Sequence, residues 1–247
     1  MTPNRSIAAP GEQRMVRFRR FLEGPVAEDD RENVQETPTD ETRPNVVESF
    51  NLRLPTEDVS KADHRKTAKT SVVHRGQHLD FEGIDELIEF FEAPDRKQEK
   101  WWGKEIKRTT DKRKPIELVD VTIKRAWVYE LSHQPDRDYH LLVGVHPQHD
   151  EGRYVNIEVT AIDPKSPDAM DLLAVRRKFQ SDYEAHQHKS LPSGFTQPKN
   201  AIPIRVSGSI FLDADHGREI TGHGDIKNFT TWEIHPVTKI EFLNGTE

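Results

Sequence analysis

Histidine and carboxylate side chains crowd the last part of the sequence, where together they could bind a divalent metal ion. The members of this group are Asp213, Asp215, His216, His223, Asp225, Glu233 and His235. Imidazole nitrogen and carboxylate oxygen are adequate ligands for Zn²⁺, Mn²⁺, Fe²⁺ or Ni²⁺, and a metal ion held in this way can activate water. We take as candidate metal ligands Asp213, His216, His223, Glu233 and His235. Such a site would make the protein a metal-dependent hydrolase or nuclease.

The spacing of these residues is not that of an established metal motif such as H-E-x-x-H. A second interpretation therefore stays open. In it, Asp213 and His216 shape a turn, and His235 forms a hydrogen bond at a strand end where Pro236 cannot donate one. The chain also has no P-loop, G-x-G-x-x-G or G-x-S-x-G motif, which argues against nucleotide hydrolysis and serine-hydrolase chemistry.

Alternating apolar residues predict the strands that would position these side chains. The alternation covers residues 116–131, 139–145, 155–159, 202–212 and 232–242. Between the third and fourth of these strands, a helix is predicted to begin at Ser166, a natural N-cap, with Pro167 at the first helical position. Strand parity places Glu233 and His235 on one face, and a hairpin between the last two strands would bring Asp213 to the same end.

The predicted order of strand, strand, strand, helix, strand, strand is that of the OB-fold, a five-stranded, partly open Greek-key barrel. Residues 115–247 are therefore predicted to form a mainly β domain, an OB-like β-barrel with the order β-β-β-α-β-β. A mixed sheet that does not close into a barrel is the alternative fold. Gly208 lies in phase with the apolar positions of the fourth strand, which predicts a bend or bulge there.

The C-terminal residues also carry a distinctive pattern. Val206-Ser207-Gly208-Ser209-Ile210-Phe211-Leu212-Asp213 is followed by Asp215-His216 and then by Trp232-Glu233-Ile234-His235-Pro236-Val237. Together with Asp138, Tyr139, His140 and Leu142, this pattern resembles that of a family of uncharacterised bacterial proteins. The resemblance implies a bacterial or phage origin and an OB-like barrel, and it implies no activity.

An OB-like barrel would offer a binding face across its second and third strands. The candidate ligand-binding residues of that face are Lys124, Asp138, His140 and Asn156, with His146 and Glu158 beside them. This mixture is less basic than a groove that follows phosphates should be. A protein or a small polar ligand is therefore as well supported as nucleic acid for this face.

Residues 76–114 are predicted to form a short amphipathic helix and a basic connector. The apolar residues of 84–91 recur at helical spacing. The stretch 96–114 holds nine Lys and Arg residues against three Asp and Glu residues, around Trp101 and Trp102. This mixture suits single-stranded nucleic acid, because cations follow phosphates while aromatic rings stack on bases. Alternatively, the two indole rings pack against the neighbouring domain.

Residues 1–75 are predicted to be a disordered polar extension, since no apolar period persists in them. The 247-residue chain is only 33% hydrophobic and is 32% charged, so that much of it cannot be packed interior. Between residues 23 and 58, eleven acidic residues stand against three arginines, which more than accounts for the net charge of −7. No field over the whole protein attracts nucleic acid, and such binding needs a local basic patch.

The sequence has no cysteine, which excludes disulfides, thiolate metal sites and cysteine nucleophiles. It has neither a run of about 20 apolar residues to span a bilayer nor an apolar secretory signal. We therefore expect a cytoplasmic protein that does not insert into membranes. The leading hypothesis is a non-enzymatic binding module for single-stranded nucleic acid or a protein partner. The metal-dependent hydrolase or nuclease is the alternative, and a divalent metal ion is the one cofactor that the sequence suggests.

Overall fold

In the computed structural model of the protein, the described residues are 65–101, 103–148, 153–214, 222–223 and 226–244. Their elements are, in chain order, α1 (Lys66–Lys69), β1 (Gln77–Phe81), α2 (Ile84–Glu92), α3 (Gln98–Trp101), a 3₁₀ turn (Pro115–Glu117), β2 (Val119–His133), β3 (Tyr139–Gly144), β4 (Tyr154–Val159), α4 (Ala169–Gln187), β5 (Phe195–Thr196), β6 (Ile202–Leu212), β7 (Gly222–His223) and β8 (Ile226–Phe242). The protein is mainly β, with few helices. No described helix has the length and apolar character to cross a membrane. The predicted extension up to residue 64 lies outside the described residues.

Five strands of the sheet pair in an order that returns to its start. β2 pairs with β3, β3 with β4, β4 with β8, β8 with β6, and β6 again with β2. The pairing of β4 with β8 is parallel, and the other four pairings are antiparallel. β1 and β5 add to β2, and the two-residue β7 pairs with β8. The predicted order of three strands, a helix and two strands is therefore present, with α4 between β4 and β6.

One face of these strands carries the apolar core. Leu141 and Val143 of β3 point into it, as do Ile157 of β4 and the alternate apolar residues of β6 and β8. The apolar side of α2 packs into the same core, where Phe91 stacks on Trp232 with ring centroids 5.7 Å apart. A nine-residue amphipathic helix is too short to be stable alone, so this packing is what keeps α2 folded.

Residues 65–74, which we call the strap, are tied to the sheet by a buried salt bridge. The two terminal guanidinium nitrogens of Arg65 donate to the two carboxylate oxygens of Glu117 over 2.9 and 2.7 Å. Arg65 also donates to the carbonyl oxygen of Leu212, and Glu117 accepts from the Leu212 amide. A paired and fully hydrogen-bonded ion pair is the form in which two charges can be buried. The strap falls within residues 1–75, which were predicted to be a disordered extension, whereas Arg65 and Lys69 are buried.

The far half of the strap is held by the residues just before α4. The Asp168 carboxylate accepts from the Val72 amide over 2.8 Å, and the Ser166 hydroxyl donates to the Thr70 carbonyl over 2.6 Å. The sequence predicts a helix that begins at Ser166, but α4 begins at Ala169. The later start has a physical reason, since both polar side chains bind the strap and Asp168 makes no capping hydrogen bond.

Gly208 lies at an irregularity of the β6–β8 pairing, as the sequence predicts. A Cβ atom at this position would lie 2.5 Å from the Pro236 carbonyl oxygen and 2.6 Å from Ile234 Cγ2. The first of these atoms belongs to the backbone, so the strands would have to move apart to make room. The close approach of β6 to β8 therefore requires glycine here.

We predict that Gly208→Ala destabilises the protein by about 1–3 kcal/mol, because a methyl group would be forced into a filled space. Gly194→Ala is the matched control, since a Cβ at Gly194 meets nothing within 4 Å. Urea unfolding of both variants measures the difference. Equal stabilities of the two variants would contradict the close approach.

Candidate functional site

Six polar side chains converge on the far face of β3, β4 and β8, opposite the apolar core. Successive residues of a strand alternate between its two faces, so the core positions leave every second side chain on the far face. We call this cluster the polar layer, and its members are Asp138, His140, Asn156, Glu158, Glu233 and His235. Five of these residues are buried, and the His140 side chain is 20% exposed.

Glu158 of β4 lies at the centre of the polar layer and contacts three of its members. Its Oε1 accepts a hydrogen bond from Asn156 Nδ2 over 2.6 Å and lies 3.0 Å from His140 Nε2. Its Oε2 lies 2.6 Å from Nδ1 of His235. A single carboxylate therefore joins side chains from three neighbouring strands.

His235 of β8 contacts carboxylates on both sides of its ring. Nδ1 lies 3.3 Å from Glu233 Oε1 in addition to its contact with Glu158. On the opposite side of the ring, Nε2 lies 3.9 Å from Asp138 Oδ2. Glu233 in turn accepts from Asn156 Nδ2 over 3.2 Å. The polar layer is thus one connected network.

The strap and the segment before β2 bring positive charge to this face. Arg113 donates to the carbonyl oxygens of Ile210 over 2.6 Å and Ser71 over 3.2 Å, and also to that of His235. Lys69 of α1 is buried. The carboxylates whose charges act on its ammonium are Glu158, Glu233, Asp213 and Asp138. Burial alone would lower the pKa of Lys69, but these charges raise it well above its usual value.

Glu158 keeps both histidines of the polar layer protonated. Burial by itself would lower their pKa values, because it penalises the charged imidazolium. The charge and hydrogen bonding of Glu158 outweigh burial and raise the pKa of His140 to about 9 and that of His235 to about 10. Both imidazoles therefore carry a positive charge at neutral pH.

The pKa values of two carboxyl groups of the polar layer are raised, whereas that of the third is lowered. Burial raises the pKa of Glu233 to about 8, with the charge of Glu158 adding to the effect. Burial also raises the pKa of Asp138 to about 6, against the lowering effect of His235. For Glu158 burial acts in the same direction, but the two histidines outweigh it and hold its pKa well below the usual range. Glu158 is therefore the firmly ionised carboxylate of the layer.

Three residues of the polar layer lie close enough together to hold a metal ion. Asp138, Glu158 and His235 each offer one ligand atom, and these atoms lie within 4.8 Å of one another. Asp136, Asp138 and His140 meet the same criterion at the edge of the layer. Oxygen and imidazole nitrogen donors suit Zn²⁺, Mn²⁺ and similar divalent ions.

The polar layer unites residues from the two sets that the sequence analysis treated separately. The metal-ligand set contributes two members and the ligand-binding set three, namely Glu233 and His235 with Asp138, His140 and Asn156. Asp213 is buried close by, and its charge acts on Glu233 and Lys69. Strand parity does place Glu233 and His235 on one face, as predicted.

The other candidate residues lie away from the polar layer. Lys124 is exposed and forms an ion pair with Glu82 over 2.7 Å. Trp101 packs half-buried against the apolar core, and its indole nitrogen donates to the Asp95 carbonyl over 2.6 Å. Outside the described residues lie Trp102, Asp215, His216, Asp225 and the side chain of His223.

Sequence reasoning missed the cations that cover the polar layer. Lys69 and Arg113 belong to charged runs without apolar periodicity, and such runs are usually solvated. Lys69 is buried among carboxylates far along the chain, and Arg113 donates to carbonyl oxygens of distant residues, which no local pattern reveals. Glu158 was easier to find, because it alternates with the core residues Ile157 and Val159.

Comparison of the chain with protein-family models, with curated proteins and with solved structures finds no match in any of the three. No relative therefore lends this chain an activity, a ligand or a site. Its function has to be inferred from the contacts of the polar layer and from the charges of the exposed surface.

We predict that the protein loses stability as the pH rises from 6 to 9. The pKa values of His140 and His235 in the folded protein, about 9 and about 10, exceed the 6.5 of free imidazole. That of Glu233, about 8, exceeds its usual 4.5. The folded state therefore binds more protons than the unfolded chain in this range, and stability must fall as they dissociate, by up to about 3 kcal/mol for each of the three groups.

Denaturant unfolding in the presence of a chelator, at pH 6, 7, 8 and 9, measures this slope. His140→Gln should flatten it, because one of the titrating groups is removed. A free energy of unfolding that stays constant or rises from pH 6 to 9 would contradict the protonated state of the polar layer.

Proposed function

We propose that the five strands β2, β3, β4, β8 and β6 form an OB-like barrel. Three observations support the proposal. The pairing order of these strands returns to β2, β4 pairs in parallel with β8, and α4 lies between β4 and β6 in the sequence. A five-stranded Greek-key barrel has this arrangement of elements. We also propose that the protein works in the cytoplasm, a reducing compartment that suits a chain without cysteine.

We further propose that the protein is a non-enzymatic binding module that holds a single-stranded nucleic acid on the basic connector. The observation that carries this proposal is the exposure of six connector cations, namely Lys97, Lys100, Lys104, Lys107, Arg108 and Lys112. Of these, Lys97, Lys104, Lys107 and Lys112 form no ion pair with any residue that the structure describes. Unpaired surface cations attract a phosphate backbone, because each contact releases condensed counterions.

The connector is anchored, so that its cations stay on the surface. Ile106 is fully buried in the apolar core, and its amide donates to the Trp101 carbonyl over 3.0 Å. Between these two anchors, Gly103 adopts a positive φ of 72° and its amide donates to the Ile106 carbonyl. A fixed turn pays less ordering entropy on binding than a free loop would.

The packing of Trp101 against the core changes the role expected of it from base stacking to anchoring. Trp101 serves the core as an anchor, so phosphate contacts rather than base stacking would supply most of the affinity. Binding that depends on phosphates is strongly sensitive to salt and weakly sensitive to base sequence. An acidic protein partner would be recognised by the same cations, and competition between the two is an outcome of the experiment below.

A metal-dependent hydrolase or nuclease is the second candidate function. The observation that favours it is the convergence of Asp138, Glu158 and His235 within 4.8 Å. A catalytic metal also needs an open coordination position for water. These three side chains are buried, so the residues packed around them would have to move for a substrate to reach them.

We predict that a fluorescent single-stranded oligonucleotide binds the full chain with an affinity that falls steeply with salt. In Lys104→Glu/Lys107→Glu, two phosphate contacts are lost. The slope of log K against log salt should therefore become shallower by about 1.4 and binding at low salt should weaken roughly tenfold or more. Fluorescence anisotropy at several salt concentrations measures both quantities.

The matched control is Lys189→Glu/Lys199→Glu, which changes the net charge equally at two exposed lysines outside the connector. Equal losses in the two double variants, or no binding at low salt, would contradict the proposal. Inhibition by an acidic polypeptide in the absence of nucleic acid binding would favour the protein partner. Adding Mn²⁺ tests the second candidate, because only an enzyme shortens the oligonucleotide.

A further inference from the structure

Two ring nitrogens of the polar layer form no hydrogen bond with a described residue, and one of them, His140 Nε2, still lies 3.0 Å from Glu158 Oε1. His235 is fully buried, and its Nε2 forms no hydrogen bond with any described residue. The nearest carboxylate atom recorded for it is Asp138 Oδ2, at 3.9 Å, which is too long for a hydrogen bond. Leaving a buried polar atom unpaired costs about 1–3 kcal/mol, so such an atom calls for an explanation.

The carboxylates around His235 supply the remaining ligands of a metal site. Asp138, Glu158 and His235 come from three different strands or strand ends, and their ligand atoms lie within 4.8 Å of one another. Ligands about 2.1 Å from a tetrahedral ion lie about 3.4 Å apart, so a small inward movement of side chains would close the site. The donors are two oxygens and one nitrogen, which suits Zn²⁺ or Mn²⁺.

Neighbouring side chains already hold the central ligand in place. Asn156 Nδ2 lies 2.6 Å from Glu158 Oε1, and His140 Nε2 lies 3.0 Å from the same oxygen. These contacts leave Glu158 Oε2 on the side of His235. Outer partners of this kind orient metal ligands and strengthen metal binding.

The strap supplies a competing cation. Lys69 is buried, and the carboxylates that act on its ammonium include two of the three candidate ligands, Asp138 and Glu158. An ammonium and a metal ion would neutralise the same negative charge in the same low-dielectric region. If the ammonium and the metal ion were present together, this region would carry an excess of positive charge, which is costly when buried.

We propose that Asp138, Glu158 and His235 form a binding site for a divalent transition metal ion, which binds as the His235 ring releases a proton to solvent, and that the Lys69 ammonium and the metal ion are alternative occupants of the site. The site requires neither nucleic acid binding nor catalysis. Because Lys69 belongs to the strap, metal binding would displace part of the strap from the far face of the sheet. The occupant of the site would thereby determine how firmly residues 65–74 are held.

The test compares the full chain with Lys69→Met, which keeps the length of the side chain and removes its charge. Each protein is freed of metal with a chelator, dialysed and titrated with Zn²⁺ alone by calorimetry, and its melting temperature is followed. We expect Lys69→Met to bind one equivalent at least tenfold more tightly than the wild type, because the internal competitor is gone. Metal should also restore melting temperature lost by the substitution, as a ligand of the folded state does.

Two further variants identify the ligands. Lys69→Met/His235→Gln should lose the equivalent of metal. Lys69→Met/His78→Gln is the matched control, since exposed His78 also lies between two carboxylates, Asp80 and Asp120, and should keep it. If Lys69→Met is unfolded without metal, folding on addition of Zn²⁺ supports the proposal. The proposal would be overturned if Lys69→Met failed to fold with Zn²⁺ or bound it with wild-type affinity. It would also be overturned if His78→Gln abolished metal binding as fully as His235→Gln.

Discussion

Buried carboxylates must be matched by buried cations, and this constraint organises the far face of the sheet. β3, β4 and β8 place Asp138, Glu158 and Glu233 on a face that is closed to water. An isolated buried carboxylate is too costly to stay ionised, so it must gain a proton or a cation. Glu233 gains a proton, and Glu158 is matched by the imidazolium groups of His140 and His235. The strap exists in its observed place because it brings Lys69 to these charges and because Arg65 is satisfied by Glu117.

The strands and the site differ in how far the sequence could predict them. Alternation of apolar residues is a local signal, and it located β2, β3, β4, β6 and β8 and the shared face of Glu233 and His235. Helical spacing located α2, whereas β1, β5 and β7 were not predicted. The helix before β6 starts later than predicted, because Asp168 is used by the strap, a contact across 96 residues of sequence. Local patterns also could not predict that the candidate metal ligands and the candidate ligand-binding residues lie in one cluster. The cluster depends on the parallel pairing of β4 with β8, which joins segments that no turn connects.

The two surfaces to which we assign functions have opposite character. The polar layer is enclosed, nearly balanced in charge and connected through Glu158, so the ligands that we propose for it are protons and metal ions, which are small. The connector is exposed and carries four lysines that form no ion pair with a described residue, so it suits a large polyanion. Both depend on residues before β2, a part of the chain that composition alone would class as solvated. Arg113 belongs to the connector and donates to the backbone carbonyl oxygens of Ser71 in the strap and His235 in the polar layer.

The strap is an integral part of the folded protein, fixed by hydrogen bonds to Glu117, Asp168 and Ser209. Native-state hydrogen exchange of the strap amides tests this claim most directly. The Val72 amide donates to Asp168, and the Val73 amide donates to Ser209. We expect both amides to be protected nearly as strongly as those of β6, since opening the strap would expose buried charge. Exchange of Val72 and Val73 at the rate of an unstructured peptide, with β6 still protected, would contradict the claim.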